Sequence, residues 1–317
     1  MAAAHAGSMS TTGDTPGSTA PIGPGTPPRP ARASVVVAAH DEEQVIGRTL
    51  NALLSDTDPG ELEVVVVANG CTDRTAERAR QFAGVTVLEC ERPSKTEALR
   101  AGDRAAVAFP RVYLDADIPA TGATVRRLCA ALDGPGRPLV AVPSRHVEVT
   151  GRPWPVRAYT AVHRRLPVFE RGLFGRGMIA LSEAGRGRFT DFPDIVADDL
   201  FLDSLFTDEE RVQLPDVATT VEAPLRTGDL VRRLVRVRRG NAELRRTSPG
   251  LQAGPGVRRS DRGAWLREVV LPRPWLAPAA VVYVALTGWA ALQARRVPPS
   301  GAAAWGRDAS TRTGLAR

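Results

Sequence analysis

The chain has 317 residues, 43% of them hydrophobic, enough to bury a core in one large domain or two modest ones. A formal net charge of +7 points to anionic partners, phosphorylated small molecules or acidic lipid among them, while aromatics at 5% offer too few stacking platforms for a nucleic-acid surface. Three widely spaced cysteines, Cys71, Cys90 and Cys129, argue against a disulfide framework or a zinc site and suit a reducing compartment.

Residues 1–32 are rich in Gly, Pro, Ser, Thr and Ala and carry neither an apolar core nor a secretory signal, so a disordered tail is expected there. Strand and helix signals then alternate. The β-branched run 34–39 is followed by apolar residues at Val45, Ile46, Leu50, Leu53 and Leu54, a helical spacing over 42–54. Strands are expected at 63–68, 85–89, 111–115 and 139–144, with helices at 73–82 (capped by Thr72 or Asp73), 94–108 and 121–132 between them. All-apolar strands alternating with helices predict a mostly parallel α/β sheet covered on both faces.

After residue 150 the alternation decays. "GRGMIA" (175–180) fits a dinucleotide-binding pattern, but it comes after the sheet is largely built and reads better as a loop leading into a strand, "MIAL". Asp198 and Asp199 open an apolar helix, 211–214 and 217–222 read as a hairpin, and 227–246 reads as an arginine-rich amphipathic helix. A Gly/Pro/Arg linker is expected over 247–273, followed by an apolar helix at 274–296 and a tail at 297–317. Within that helix Trp275–Ala294 is uncharged for 20 residues and is followed by Arg295 and Arg296, which suits either a membrane span or a helix lying in the interface. A buried helix of a soluble domain passes the same length test.

In a parallel sheet ligands gather beyond the C-terminal strand ends. Four strands deliver polar groups there: "HDEE" (40–43), "NGCTD" (69–73), "RPSK" (92–95) and "DAD" (115–117). Asp115 and Asp117 could hold a divalent cation that bridges a diphosphate, although D-x-D alone is a common acidic turn. Ser94–Glu97 is a capping box that places Lys95, the only lysine in the chain, on the first turn of a helix. A cation is disfavoured at that end by a few tenths of a kcal/mol and is tolerated best where an anion meets it. Of Asp198 and Asp199, one carboxylate could take the proton of an attacking hydroxyl while the other caps the helix. The basic run Arg232, Arg233, Arg236, Arg238 and Arg239 could clamp a phosphate or contact anionic lipid.

Taken in order, "VVVAAHDEE", "VVVVANGCTDRTAE", "SKTEALRAG", "YLDADIP" and "VADDLFL" resemble family 2 glycosyltransferases of the GT-A fold, of the membrane-associated bacterial type, over about residues 33–245. The resemblance implies transfer of a sugar from a nucleotide sugar, usually with inversion, with Mg²⁺ or Mn²⁺ at D-x-D. It places Ala39, His40 and Glu42 in the nucleoside pocket, with Asn69 and Asp73 in the segment that usually reads D-D-G-S-T-D. Lys95 matches a donor-site lysine, Asp115 and Asp117 the metal-binding acids, and Asp198–Asp199 the acidic pair whose aspartate, here Asp199, is the general base. Arg236 and Arg239 match the spacing of the R-x-x-R-W phosphate motif. Two departures argue against a processive polymer synthase: Gly240 stands where that motif has Trp, and one plausible span replaces several. Ala68–Asn69 replaces the usual acidic pair, which leaves the base open. The closing "WGRDASTR" (305–312) resembles the tail of membrane-associated members.

The expectation is an inverting, metal-dependent glycosyltransferase at the cytoplasmic face of a membrane. It would act on a saccharide or lipid-linked acceptor in cell-envelope polysaccharide or glycolipid synthesis, with no nucleic-acid partner. Competing readings are a nucleotidyltransferase, against which the acidic first loop counts, and a non-catalytic module that binds anionic membranes.

Overall fold

The computed structural model describes residues 30–195, 197–247, 261 and 263–296. Residues 1–29 of the expected N-terminal tail (1–32), the whole C-terminal tail (297–317, including "WGRDASTR") and about half of the expected linker (248–260 of 247–273) lie outside the described residues.

Seven strands form one sheet: β1 (Ala33–Ala39), β2 (Leu62–Asn69), β3 (Val85–Cys90), β4 (Arg111–Asp115), β5 (Val140–Glu148), β6 (Met178–Leu181) and β7 (Arg211–Glu222). Their spatial order is β3-β2-β1-β4-β6-β5-β7. β1 pairs in parallel with β2 and β4, and β2 with β3; β6 alone runs antiparallel, wedged between β4 and β5. The described residues also form ten α-helices: α1 (Ile46–Leu54), α2 (Thr75–Arg80), α3 (Lys95–Ala105), α4 (Gly122–Leu132), α5 (Trp154–His163), α6 (Val168–Arg171), α7 (Glu183–Arg186), α8 (Asp198–Ser204), α9 (Thr227–Thr247) and α10 (Ala277–Arg296).

Strand alternation divides the core in two. Val35 and Val37 join Val64, Val66 and Leu114 under α1 and α4, through Ile46, Leu50, Val125 and Leu128. Val36 and Ala38 join Val65, Val67 and Tyr113 under α3 and α8, through Ala98, Leu99, Phe201 and Leu202. Both faces are covered, which is why the strands read as continuous apolar runs.

The expected hairpin at 211–222 is instead one strand. Val140–Pro143 pair with Arg211–Leu214 and Ser144–Glu148 with Ala218–Glu222, all in parallel, with a bulge between. Pro215, which has no N–H to give a ladder, sits in that bulge, so its turn chemistry makes an irregularity and not a reversal. Helices α1 and α2 start later than the periodicity suggests, because residues 40–45 and 70–74 form interlocked loops. The N-cap of α2 is Arg74, with no side-chain cap bond, while Asp73 accepts from Thr75 N–H at 3.0 Å.

Part of the stretch read as a linker packs on the domain. Trp265–Val270 forms a π-helical turn with Val269 and Val270 buried, and α10 then lies along α5 and α9.

Candidate active site

The first two loops are stapled to each other. His40 Nδ1 lies 2.7 Å from Asn69 O, and Asp41 Oδ1 accepts from Thr72 N–H at 2.6 Å. Glu42 N–H donates to Thr75 Oγ1 at 2.7 Å, and Glu43 N–H to Asp73 Oδ2 at 3.1 Å. Asn69 is buried and its amide donates to Ser94 O, which ties β2 to the start of α3. Ala39 and Glu42 are buried beneath these loops, so of the three residues expected in a nucleoside pocket His40 keeps the most exposure.

His40, Asp41 and Cys71 are also the one group of three metal-competent side chains that meet among the described residues. Each has local employment: His40 and Asp41 hold the second loop, and burial pushes the Cys71 thiol up, away from the thiolate a metal needs.

The acids gather at the start of α3. Ser94 caps the helix by accepting from Glu97 N–H at 3.2 Å. Lys95, on the first turn, donates to Asp115 Oδ1 at 2.8 Å and lies 3.0 Å from Asp198 Oδ2. The unfavourable position of a cation at a helix N-terminus is thus met by two carboxylates from distant segments. Burial would lower the Lys95 pKa, but Asp115 and Asp198 more than offset it and hold the ammonium firmly charged.

Asp199, the next residue, is gripped differently. Its Oδ2 accepts from Gly175 N–H at 3.0 Å and its Oδ1 from Leu200 N–H at 2.8 Å. Burial and the Asp198 carboxylate push its pKa up to about 6, against the opposing pull of Lys95. The carboxylate is therefore oriented by backbone donors and poised near neutral pH, as a general base requires.

The loop Gly175–Arg176–Gly177 ties the acids together. Gly177 O accepts from Asp115 N–H at 2.8 Å while Gly175 holds Asp199. Both glycines have positive φ, +70° and +69°, a region where side chains are strained. A Cβ on Gly177 would stand 2.3 Å from Ile118 Cγ1. Arg176 is buried between them and donates to Pro143 O at 3.0 Å, Gly172 O at 3.0 Å and Gln213 Oε1 at 2.8 Å, which locks the loop. Sequence reasoning rejected "GRGMIA" as a nucleotide fingerprint and read it as a loop before a strand; it missed that this loop scaffolds the acids.

Asp115 and Asp117 close the edge, both partly exposed, and Thr49 Oγ1 anchors the turn by donating to Ala116 O at 2.7 Å. Two carboxylates one residue apart form a hard-oxygen donor set that suits a divalent cation taking its other ligands from phosphate and water. Arg236 and Arg239 lie on α9. Arg233, on the same helix, is the arginine whose charge bears on Arg145 and His163.

Residues 34–185 match the family model described as glycosyl transferase family 2. Over that stretch the chain matches family 2 glycosyltransferases. No curated protein sequence matches the chain. Among solved structures, this glycosyltransferase is similar to a mannosyltransferase from Pyrobaculum calidifontis in complex with GDP-Man and Mn²⁺, at 23% identity, TM-score 0.54, over 84% of this chain and 79% of that one. It is also similar to glucosyl-3-phosphoglycerate synthase from Mycobacterium tuberculosis in complex with Mn²⁺, UDP-Glc and phosphoglyceric acid, at 22% identity, TM-score 0.50, over 68% of this chain and 78% of that one. At such identities the likeness is one of fold: the GT-A arrangement expected from the strand-end motifs.

Proposed function

We propose that this glycosyltransferase moves a sugar from a nucleotide sugar to an acceptor hydroxyl with inversion, using Mg²⁺ or Mn²⁺ at Asp115 and Asp117. The observation that supports this most is the fixed Asp199 carboxylate, held by Gly175 N–H at the strand edge where Lys95, Asp115 and Asp198 meet.

In this reading Asp199 takes the proton of the acceptor hydroxyl as its oxygen attacks the anomeric carbon from the face opposite the leaving group. The bond to the nucleoside diphosphate breaks and the diphosphate leaves with the electron pair. Lys95 offsets the repulsion between the acid cluster and that leaving group, and its hydrogen bond to Oδ1 orients the Asp115 carboxylate. The divalent cation, when bound, supplies charge neutralisation of the departing diphosphate. The first two loops, with His40, Asn69 and Asp73, would hold the nucleoside, and Arg236 and Arg239 the phosphates.

The acceptor is read as saccharide or lipid-linked, in cell-envelope polysaccharide or glycolipid synthesis at the cytoplasmic face of a membrane. Support comes from Pro274–Arg296, a helix long and apolar enough to cross a bilayer. Its inward side is engaged: Tyr283 stacks on Tyr159 of α5 at 5.2 Å, and Leu286 packs with Leu230 and Leu234 of α9. Its outward side carries Val281, Val284, Trp289 and Leu292, all exposed, at helical spacing. A helix docked along its own domain cannot also leave it to cross a bilayer, so α10 is read as lying in the interface.

The test is incubation with UDP-, GDP- and dTDP-sugars and Mn²⁺, following nucleoside diphosphate release and the product anomer by NMR. Release with an inverted anomer is expected. A retained anomer overturns the inverting mechanism, and no release from any donor overturns the transferase reading of this site.

A further inference from the structure

One group of charges near the site is not used by the chemistry above. Arg145 projects from β5 with its guanidinium carbon 4.0 Å over the Phe169 ring, and its Nη1 lies 3.5 Å from Gly175 O. Gly175 therefore touches Asp199 through its N–H and Arg145 through its carbonyl. The far end of the same loop, Gly177, touches Asp115. Arg145 thus sits on the Asp199 side of the loop, away from the D-x-D acids.

Phe169 in turn packs on His163 at 4.5 Å, and His163 stacks on Tyr159 at 4.9 Å. Arg233 approaches from α9, whose Leu230 and Leu234 pack in the same cluster as Tyr159. Other arginines of the described domain have a carboxylate beside them: Arg74 has Glu43, Arg126 Asp56, Arg188 Glu210 and Arg211 Asp203. Among the described residues no carboxylate pairs with Arg145 or Arg233. The field is positive throughout: burial, Arg145 and Arg233 push His163 down to about 3, so it is neutral and adds no charge of its own. Two half-buried guanidiniums that both bear on His163 without a carboxylate partner are costly unless an anion arrives to share them.

We propose that Arg145 and Arg233 form a binding subsite for a phosphate group carried by the acceptor, next to the general base. The inference rests on Asp199 acting as base, because that places the acceptor on this side of the loop. Paired guanidinium forks match the geometry of a phosphate monoester better than that of a neutral sugar. The aromatic chain from Phe169 through His163 and Tyr159 to Tyr283 leads from this subsite to α10, so the phosphate can belong to a soluble acceptor or to a lipid headgroup.

The test is titration of the full chain with glycerol phosphate, and separately with vesicles of phosphatidylcholine with and without phosphatidic acid. Wild type is compared with Arg145→Gln, Arg233→Gln and the double variant, each checked for an unchanged Tm. Each single substitution is expected to weaken phosphate binding about tenfold, the loss of one charged hydrogen-bonding partner, and the double to abolish it. Loss with glycerol phosphate identifies a soluble phosphate monoester as a sufficient ligand; loss only with phosphatidic acid vesicles identifies a lipid phosphate. Binding equal in wild type and the double variant, or no binding of either probe to wild type, overturns the subsite. If Arg145→Gln lowers Tm, Arg233→Gln alone decides. Binding of UDP or GDP with Mn²⁺, measured in parallel, reads the donor site separately, so failure of the transferase reading and failure of the subsite give different patterns.

Discussion

Lys95 reaches Asp115 across 2.8 Å, from the first turn of α3 to the last residue of β4. The ammonium and a divalent cation would compete for the same carboxylate. Lys95→Met should therefore bind Mn²⁺ more tightly than wild type in the absence of nucleotide, yet turn over donor far more slowly. Lys95→Arg keeps the charge but replaces a point donor with a planar fork that does not fit between Asp115 and Asp198, so donor KM should rise about tenfold. Manganese titration by electron paramagnetic resonance and steady-state kinetics check both; unchanged Mn²⁺ affinity in Lys95→Met removes the competition.

Asp199→Asn keeps an acceptor for Gly175 N–H but cannot take a proton. Transfer should fall by about 10²–10⁴, with donor affinity nearly intact. In wild type, kcat/KM should drop on the acid side around pH 6, as Asp199 becomes protonated. Stability moves the other way. The folded-state pKa is raised, so the protonated form is favoured by folding, and stability is lost as pH rises through about 6. Asp199→Asn should consequently raise Tm by a few degrees at pH 8, a gain that shrinks towards pH 4. Scanning calorimetry across that range decides it, and a Tm difference independent of pH would remove the burial argument.

Gly175→Ala addresses the scaffold. The backbone there has φ +70°, and the new Cβ would stand 3.1 Å from Arg145 Nη1. The left-handed conformation should cost about 1–2 kcal/mol of stability. It should also shift the amide that orients Asp199, so kcat falls while donor KM holds. A variant with normal kcat would show that Asp199 does not depend on Gly175.

The strand-end motifs were legible because a parallel sheet buried on both faces writes its strands as continuous apolar runs, with polar groups only where each run stops. Val64–Val67 followed by Asn69, and Val112–Leu114 followed by Asp115, follow that rule. The family resemblance rested on those same positions. What sequence could not supply was pairing across distance. Gly175 meets Asp199 from 24 residues away, and Lys95 on α3 meets Asp198 on α8, a helix on the far side of β6 in the chain. Arg145 sits within an ordinary strand pattern, and only tertiary packing sets it over Phe169 without a carboxylate. The false hairpin at 211–222 came from Pro215–Asp216, whose turn chemistry is real but is spent on a bulge.

The C-terminal helix gives the last expectation. A spanning helix resists extraction by alkaline carbonate, whereas one held in the interface by a single apolar face is released. Because Ala280, Tyr283, Leu286 and Ala290 of α10 are engaged or buried against the domain, only the stripe of Val281, Val284, Trp289 and Leu292 is left for lipid. Carbonate should therefore strip the protein from membranes. Val284→Asp with Trp289→Asp should abolish pelleting with anionic vesicles, since each introduced charge in the apolar interface costs far more than the exposed side chain gained. The fold should survive, as both positions point away from α5 and α9, and Tm should stay within a few degrees of wild type. Retention in the carbonate pellet would mean that α10 leaves its domain and spans, in which case the Tyr159–Tyr283 stack belongs to a form of the protein not bound to the bilayer.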